Sequence, residues 1–251
     1  MNIKQLQNYL DTRLELLNVE FDEDEHTYKC DGDLYTGVTQ VCRVNSKSWL
    51  HLWTTKENYR YMKENWDLEK EYTEEEKEEL LMEAKNAHKT KSEKAQEIGT
   101  KIHKWIEDYI KGEEPEMIEG HEKTLNSFKE WEKENKVKWI KSELIVASKK
   151  HKVAGTLDGL ALVNGELVLI DFKTSKRFNK SAFLQTAAYK MCLEEIGIVP
   201  AKRLIVRIPK DEKKVETLEV PTPYDFDKKT FKRLREVYRW NLYVKNQTDY
   251  S

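Results

Sequence analysis

The chain is 251 residues long, with 44 basic and 46 acidic side chains and a formal net charge of −2. At about 100–200 residues per domain it makes one large domain or two small ones, and no stretch approaches the ~18 consecutive apolar residues of a membrane span. Charged residues are 36% of the chain against a usual ~25%. Their near balance excludes a uniformly polycationic nucleic-acid binder, so affinity for a polyanion must come from local clusters.

The N-terminal segment MNIKQLQNYLDTRLELL sets Ile3, Leu6, Leu10, Leu14 and Leu17 at helical spacing. That is an amphipathic helix, not a secretion signal with a continuous apolar core. Three scattered cysteines, Cys30, Cys42 and Cys192, make neither a disulfide framework nor a four-thiolate metal site, and predict a reduced, cytoplasmic setting. VEFDEDEHTYKC and LYTGVTQV read as short strands joined at Asp31-Gly32-Asp33. The acids around them lack the D-x-D-x-D-G spacing and distal Glu of a calcium loop.

Residues 46–111 are helical in pattern, with capping boxes at Thr73-x-x-Glu76 and Thr90-x-x-Glu93 that predict a break near 88–91. The second of these helices carries Ala95, Ile98, Ile102, Trp105, Ile106 and Tyr109 at helical spacing and ends at Gly112. Trp49, Trp53, Tyr59, Tyr61 and Trp66 precede it, suited to core packing or to stacking single-stranded bases. A short helix over 121–135 follows.

The texture then changes. Val137 to Thr174 is β-branched and apolar in short runs, followed by a helical stretch at 180–195, a strand at 203–208, an edge strand at 215–220 and a helix over about 225–245. The order helix, three strands, helix, strand predicts an α/β fold on a mixed sheet, with an antiparallel meander leading into a right-handed crossover. Charge is uneven along it. Residues 64–83 hold ten acids against Lys70 and Lys77, as a solvated helix face would, whereas Lys228 to Lys245 holds seven basic residues against Glu236. Smaller positive clusters lie at 149–152, 173–180 and 202–214.

Asn164-Gly165 is a strong hairpin signal, because a type I′ turn needs positive φ at both central residues. A two-residue loop there pairs Val163 with Glu166 and Leu162 with Leu167, which sets Asp158 opposite Asp171. Opposed residues share a face, as do residues i and i+2 of a strand, so Asp158, Asp171 and Lys173 project together from an otherwise apolar hairpin. Two carboxylates about 5 Å apart repel by about 3 kcal/mol at an effective dielectric near 20. A divalent cation or a shared proton relieves this. If Ser148 pairs His151, Glu143 faces Thr156 and brings a third carboxylate to the same face. Downstream, Gln185 and Tyr189 lie at i, i+4 on one helix face. His103 sits one position off its helix's apolar stripe, with Gly99 a turn before and Glu107 a turn after; a helical His of this kind is a packed residue or a ligand.

AGTLDGLALVNGELVLIDFKTSK followed by LQTAAY, with GTKIH upstream, resembles the PD-(D/E)XK nuclease superfamily over roughly residues 95–210. It is most similar to the RecB-like branch, which includes phage exonucleases and the mitochondrial genome maintenance exonuclease. HTYKCDGDLYTGVTQV resembles the strand pair that often precedes this core. The resemblance implies a restriction-endonuclease-like mixed sheet with an αβββαβ core. Residues 91–251 would form that core and the C-terminal helix, and residues 1–90 an N-terminal helix, hairpin and helical elaboration, packed as one compact domain. It assigns the motif acid of the second strand to Asp158, the acid and lysine of the triplet to Asp171 and Lys173, the helix pair to Gln185 and Tyr189, and the histidine to His103. Glu143 matches a recurrent acidic position.

The resemblance further implies hydrolysis of DNA phosphodiesters with one or two Mg²⁺ or Mn²⁺ ions, hard cations that oxygen ligands select. His103, Asp158, Asp171 and the carbonyl of Phe172 would hold the metal, and the imidazole would tilt the preference toward Mn²⁺. The four cysteines of the iron–sulfur members are missing, so no cluster is expected. Single-stranded DNA or DNA ends are the expected partner, with no membrane. Beside the exonuclease reading stand a structure-selective or flap endonuclease of the same fold and a non-catalytic DNA-binding module. Polarity of digestion, preference for DNA over RNA and oligomeric state are not written in the motif.

Overall fold

The computed structural model describes residues 2–45, 49–210 and 213–247, the side chains of residues 49–51 excepted. The first helix, α1 (Ile3–Glu15), starts from a reciprocal cap in which Asn2 and Gln5 exchange 2.9 Å hydrogen bonds, and it buries Leu6 and Leu10. The next segment differs from the expected strand pair. VEFDEDEHTYKC is itself a hairpin of β1 (Val19–Asp22) and β2 (Thr27–Cys30), its turn held by Glu25 N–H donating to Asp22 Oδ1 at 2.9 Å. β3 (Asp33–Gly37) then pairs with β2, and Val38 onward is helix α2 (Val38–Arg43), not strand. Two valines and a threonine favour a strand locally, but Gln40 accepts the Gly37 N–H at 3.1 Å, and Val38, Val41 and Cys42 bury one helical face.

Two compact units follow from how the chain packs: residues 1–45 with 102–251, and residues 46–101. The second unit contains α3 (Trp49–Asn65) and most of α4 (Glu74–Ile110). Thr73 and Glu76 form the predicted capping box, at 3.2 and 2.9 Å. The predicted break at 88–91 does not occur, because Thr90-x-x-Glu93 offers a cap but no Gly or Pro interrupts the run before Gly99. Within this unit Leu80 and Ala84 are buried, Trp53 meets His88 edge-on at 6.3 Å, and buried Glu57 is paired by Arg60 and by Lys91 at 2.9 Å. Of the aromatics noted in the sequence, Tyr59 and Trp66 are exposed, Trp53 and Tyr61 half-buried, and the Trp49 side chain lies outside the described residues.

The larger unit is built on a mixed sheet. After α5 (Glu122–Glu134) come β4 (Lys138–Ser148), β5 (Val153–Val163), β6 (Glu166–Lys173), α6 (Lys180–Glu195), β7 (Lys202–Arg207), β8 (Glu216–Glu219) and α7 (Tyr224–Gln247). The order is β1-β2-β3-β5-β6-β7-β8, with β4 also on β5. The three-strand meander and the helical crossover to β7, parallel to β6, are the predicted αβββαβ core. β6 is buried along nearly its whole length, as its Leu-Val-Leu-Ile run requires of a strand covered on both faces. Leu10, Val41, Leu184, Ala188 and Phe231 bring α1, α2, α6 and α7 onto one core. Phe128, Trp139 and Phe172 form an aromatic cluster with centroids 5.7–6.4 Å apart.

One strand places the site. β4 follows β5 almost end to end along one side. On its other side β5 meets β6 only from Gly159 to Val163 and β3 only at Val153 and Ala154. Residues 155–158 are therefore left unpaired on that side, and the sheet opens there.

Candidate active site

The Asn164-Gly165 turn forms as expected, both residues at positive φ (49° and 88°), with Val163 paired to Glu166 and Leu162 to Leu167. The ladder ends at Gly159 and Ile170, one pair short of Asp158 and Asp171. There the Phe172 N–H donates to Asp158 Oδ2 at 2.5 Å, so a side-chain carboxylate takes a backbone donor that continued pairing would have used.

The register of β4 differs from the expected one by two residues. Ser148 pairs Val153, not His151, because the link is a four-residue turn in which Ser148 Oγ accepts the His151 N–H at 3.0 Å and Lys152 takes positive φ. A shift of two keeps each side chain on its face. Glu143 consequently falls between the Ser142–Gly159 and Leu144–Leu157 pairs, level with Asp158 instead of Thr156. His103, from the part of α4 within the same unit, completes the group: one ligand atom each from His103, Glu143 and Asp158 lie within 4.8 Å of one another.

Asp171 is fully buried. Lys173 Nζ donates to its Oδ1 at 2.7 Å and lies equally close to Oδ2, but no donor is directed at Oδ2. A buried carboxylate oxygen left without a hydrogen bond is costly, and this is an atom that a cation would satisfy. On α6, Gln185 Nε2 donates to the Tyr189 hydroxyl at 3.0 Å, as the i, i+4 spacing predicts. Tyr189 reaches this place because position 155 is glycine: a Cβ there would lie 2.9 Å from Tyr189 Cε1.

Electrostatics follow from burial. Burial pushes Asp171 up to about 6 against the pull of Lys173, and Asp158 adds to the rise. Asp158 is raised by the same burial. Glu143, although its side chain is exposed, is pushed up to about 7 by partial desolvation, then by Asp158 and Glu107. Burial lowers His103 to about 4, with Lys173 adding to it, so the imidazole is neutral at pH 7 with a lone pair to offer. For Lys173 burial favours the neutral amine, yet Asp171 and Asp158 outweigh it and its pKa is raised. Oxygen ligands, a neutral imidazole and an unsatisfied carboxylate oxygen are the donor set of a divalent cation such as Mg²⁺ or Mn²⁺.

Residues 59–247 match the family model of the PD-(D/E)XK nuclease superfamily. The chain belongs to that superfamily. No curated protein sequence matches it. Among solved structures, LHK-Exo in complex with dAMP aligns at 10% identity over 95% of this chain and 93% of that one, with a TM-score of 0.42. An alkaline exonuclease (LHK-Exo) from Laribacter hongkongensis aligns at 9% identity over 96% and 98%, TM-score 0.40. SSO0001 aligns at 15% over 94% and 86%, TM-score 0.36. At these identities and TM-scores they are likenesses only.

This PD-(D/E)XK site has neighbours that sequence reasoning missed. The Tyr28 hydroxyl, from β2, shares a 3.1 Å hydrogen bond with Thr156 Oγ1, and Tyr28 is raised by burial and by Glu143 among its smaller causes. Thr156 was accessible through its i, i+2 relation to Asp158, whereas nothing in the local pattern at Tyr28 marks it. Cys42 of α2 is pushed up to about 12 by burial and by Asp171, so it remains a thiol beside the site. No helix among the described residues is long and apolar enough to cross a membrane.

Proposed function

We propose that this PD-(D/E)XK protein is a Mg²⁺- or Mn²⁺-dependent deoxyribonuclease acting from ends, an exonuclease of the RecB-like kind. The observation that carries the chemistry is the meeting of His103, Glu143 and Asp158 beside an Asp171–Lys173 pair whose Asp171 Oδ2 is unsatisfied. His103, Asp158, Asp171 and the Phe172 carbonyl would hold the cation. Bound there, the cation supplies positive charge to phosphoryl oxygens and makes a water more acidic.

The rest falls to the chain's own groups. The Lys173 ammonium, tethered by Asp171, positions the attacking water and offsets charge that grows on the phosphate. Glu143, with a pKa of about 7, is matched to accept a proton near neutral pH. Tyr189 accepts from Gln185 and, kept protonated by burial, has its own proton left for a phosphate oxygen and a further lone pair with which to order the Lys173 ammonium. A non-catalytic binder has no use for a carboxylate buried with an unmade hydrogen bond, and this supports catalysis over the binding-module reading.

The experiment incubates pure protein with end-labelled linear and covalently circular single-stranded DNA, in Mn²⁺, Mg²⁺ or chelator. Cation-dependent release of nucleotides from linear DNA only is the expected result. Cutting of the circle would establish an endonuclease, and binding without cleavage would leave the module.

A further inference from the structure

The four positive clusters of the sequence fare differently in the fold. Lys149 and Lys152 pair with Asp31 and Asp33 at 2.6 and 2.8 Å, Lys202 with Glu166 at 2.7 Å, Arg203 with Asp227 at 2.9 Å, and Lys228 with Glu194 at 2.9 Å. On α7 the inward face is also committed. Asp227 and Phe231 are buried, Leu234 packs on the core, and the Tyr238 hydroxyl meets Gln40 Oε1 at 3.4 Å. The outward face is not. At 100° per residue, Phe226, Lys229, Arg233, Val237, Trp240 and Tyr243 form one stripe about 26 Å long, and the exposed Glu236 lies within the same arc. All six are exposed, Trp240 and Tyr243 at 63% and 66%. Lys229, Arg233 and the adjacent Arg239 make no ion pair among the described residues.

We infer that this stripe of α7 is a docking surface for single-stranded nucleic acid, the basic groups meeting phosphates and Trp240 and Tyr243 stacking on bases. The inference rests on the nuclease reading and extends it to a surface outside the carboxylate site. Charge complementarity selects the occupant: from Lys228 to Lys245 the one acid, Glu236, stands against six basic residues besides Lys228, which Glu194 neutralises. A second copy of the chain would bring the same positive charge against it. A membrane-surface helix separates an apolar face from a basic one, whereas here aromatic and basic groups interleave on one face and the apolar face is already buried in the core. Interleaved cations and exposed rings are how sequence-tolerant single-strand binders work.

The test is binding of a fluorescein-labelled single-stranded oligonucleotide to the full chain in chelator, followed by anisotropy across a salt series. Trp240→Ala with Tyr243→Ala is expected to weaken binding about tenfold or more with the salt slope unchanged, because one lost stacking contact is of that order. Lys229→Gln with Arg233→Gln is expected to make the slope of log affinity against log salt shallower by about 1.4, two charges at the single-strand value. Trp240→Phe should keep most of the affinity, and melting temperatures should not move, since these side chains are exposed. Wild-type affinity in both double variants would overturn the inference, as would a wild-type dimer that the variants dissociate, or binding to phosphatidylserine vesicles in preference to DNA. A wild-type protein that neither binds nor cuts DNA would instead remove the nuclease reading itself.

Discussion

Glu143 and Asp158 face each other across a rung that the β4–β5 ladder skips. The pairs on either side are made, Ser142 with Gly159 and Leu144 with Leu157, while Glu143 itself adopts φ +46°. A left-handed backbone at a non-glycine residue costs about 1–3 kcal/mol and persists where the surroundings hold it, commonly at functional sites. Here the distortion brings a third carboxylate to Asp158 and His103.

A first prediction separates that strain from its use. Glu143→Gly removes the left-handed penalty and the repulsion from Asp158, at the cost of about 0.5–1 kcal/mol of chain entropy. In chelator the variant should melt at or above the wild-type temperature, within about 2 kcal/mol of added stability, while cation-dependent cleavage falls. Glu143→Gln, which keeps the left-handed backbone and removes only the repulsion, should lose cleavage and gain less stability than Glu143→Gly. A Glu143→Gly protein that melts well below wild type would show that the residue stabilises the fold and is not strained.

Asp171 and Lys173 should divide on cation binding. Asp171→Asn removes a proposed ligand and should reduce cleavage by at least about a hundredfold, with the far-ultraviolet circular dichroism unchanged. Lys173→Gln removes a positive charge beside the cation and should tighten Mn²⁺ binding in calorimetry while also abolishing cleavage. If both variants lose Mn²⁺ affinity alike, Lys173 supports the site structurally and its role on the phosphate is withdrawn.

The pH dependence has a definite sign. Asp171 and Glu143 have raised values of about 6 and 7 in the cation-free protein, so between about pH 4 and 7 the folded state holds protons that the unfolded chain has released. Their contribution to stability is present at low pH and is lost as pH rises through those values. His103, lowered to about 4, acts in the opposite direction and destabilises the fold as pH falls below about 6.5. A cation held by Asp158 and Asp171, both raised by burial, must displace their protons and none from the imidazole. The rise in melting temperature on adding Mn²⁺ should be small at pH 5 and reach a plateau above pH 7. Equal rises at both ends would contradict the assigned ligands.

How much of this was legible depends on whether the signal was local. Asn164-Gly165 fixes its hairpin through two backbone angles, so the register down to Gly159 and Ile170 follows from the dipeptide. The 149–152 link has no such dipeptide; its turn is set by Ser148 Oγ and by Lys152 at positive φ, and the register was misread by two. Because strand periodicity is also two, the face of Glu143 came out right and its partner wrong. The parting of β5 from β6 was not readable: beyond it β5 pairs at Val153 and Ala154 with β3, a strand more than a hundred residues away in sequence. Nor was α2, where burial of Val38, Val41 and Cys42 overrides β-branched propensity.

His103 allows the cation to be identified by the residue that would discriminate. Its neutral imidazole sits with two carboxylates, and nitrogen suits Mn²⁺ better than Mg²⁺. His103→Ala should therefore lower Mn²⁺ affinity more than Mg²⁺ affinity, and affinity for DNA measured in chelator should be unaffected. The ring also lies edge-on to Phe172, with centroids 6.3 Å apart, so some stability should be lost as well, and a melting curve in chelator reports that packing part separately. Melting that falls while both cation affinities hold would make His103 a packing residue of the aromatic cluster. Mg²⁺ affinity falling as far as Mn²⁺ affinity would keep it at the site but remove its part in choosing the ion.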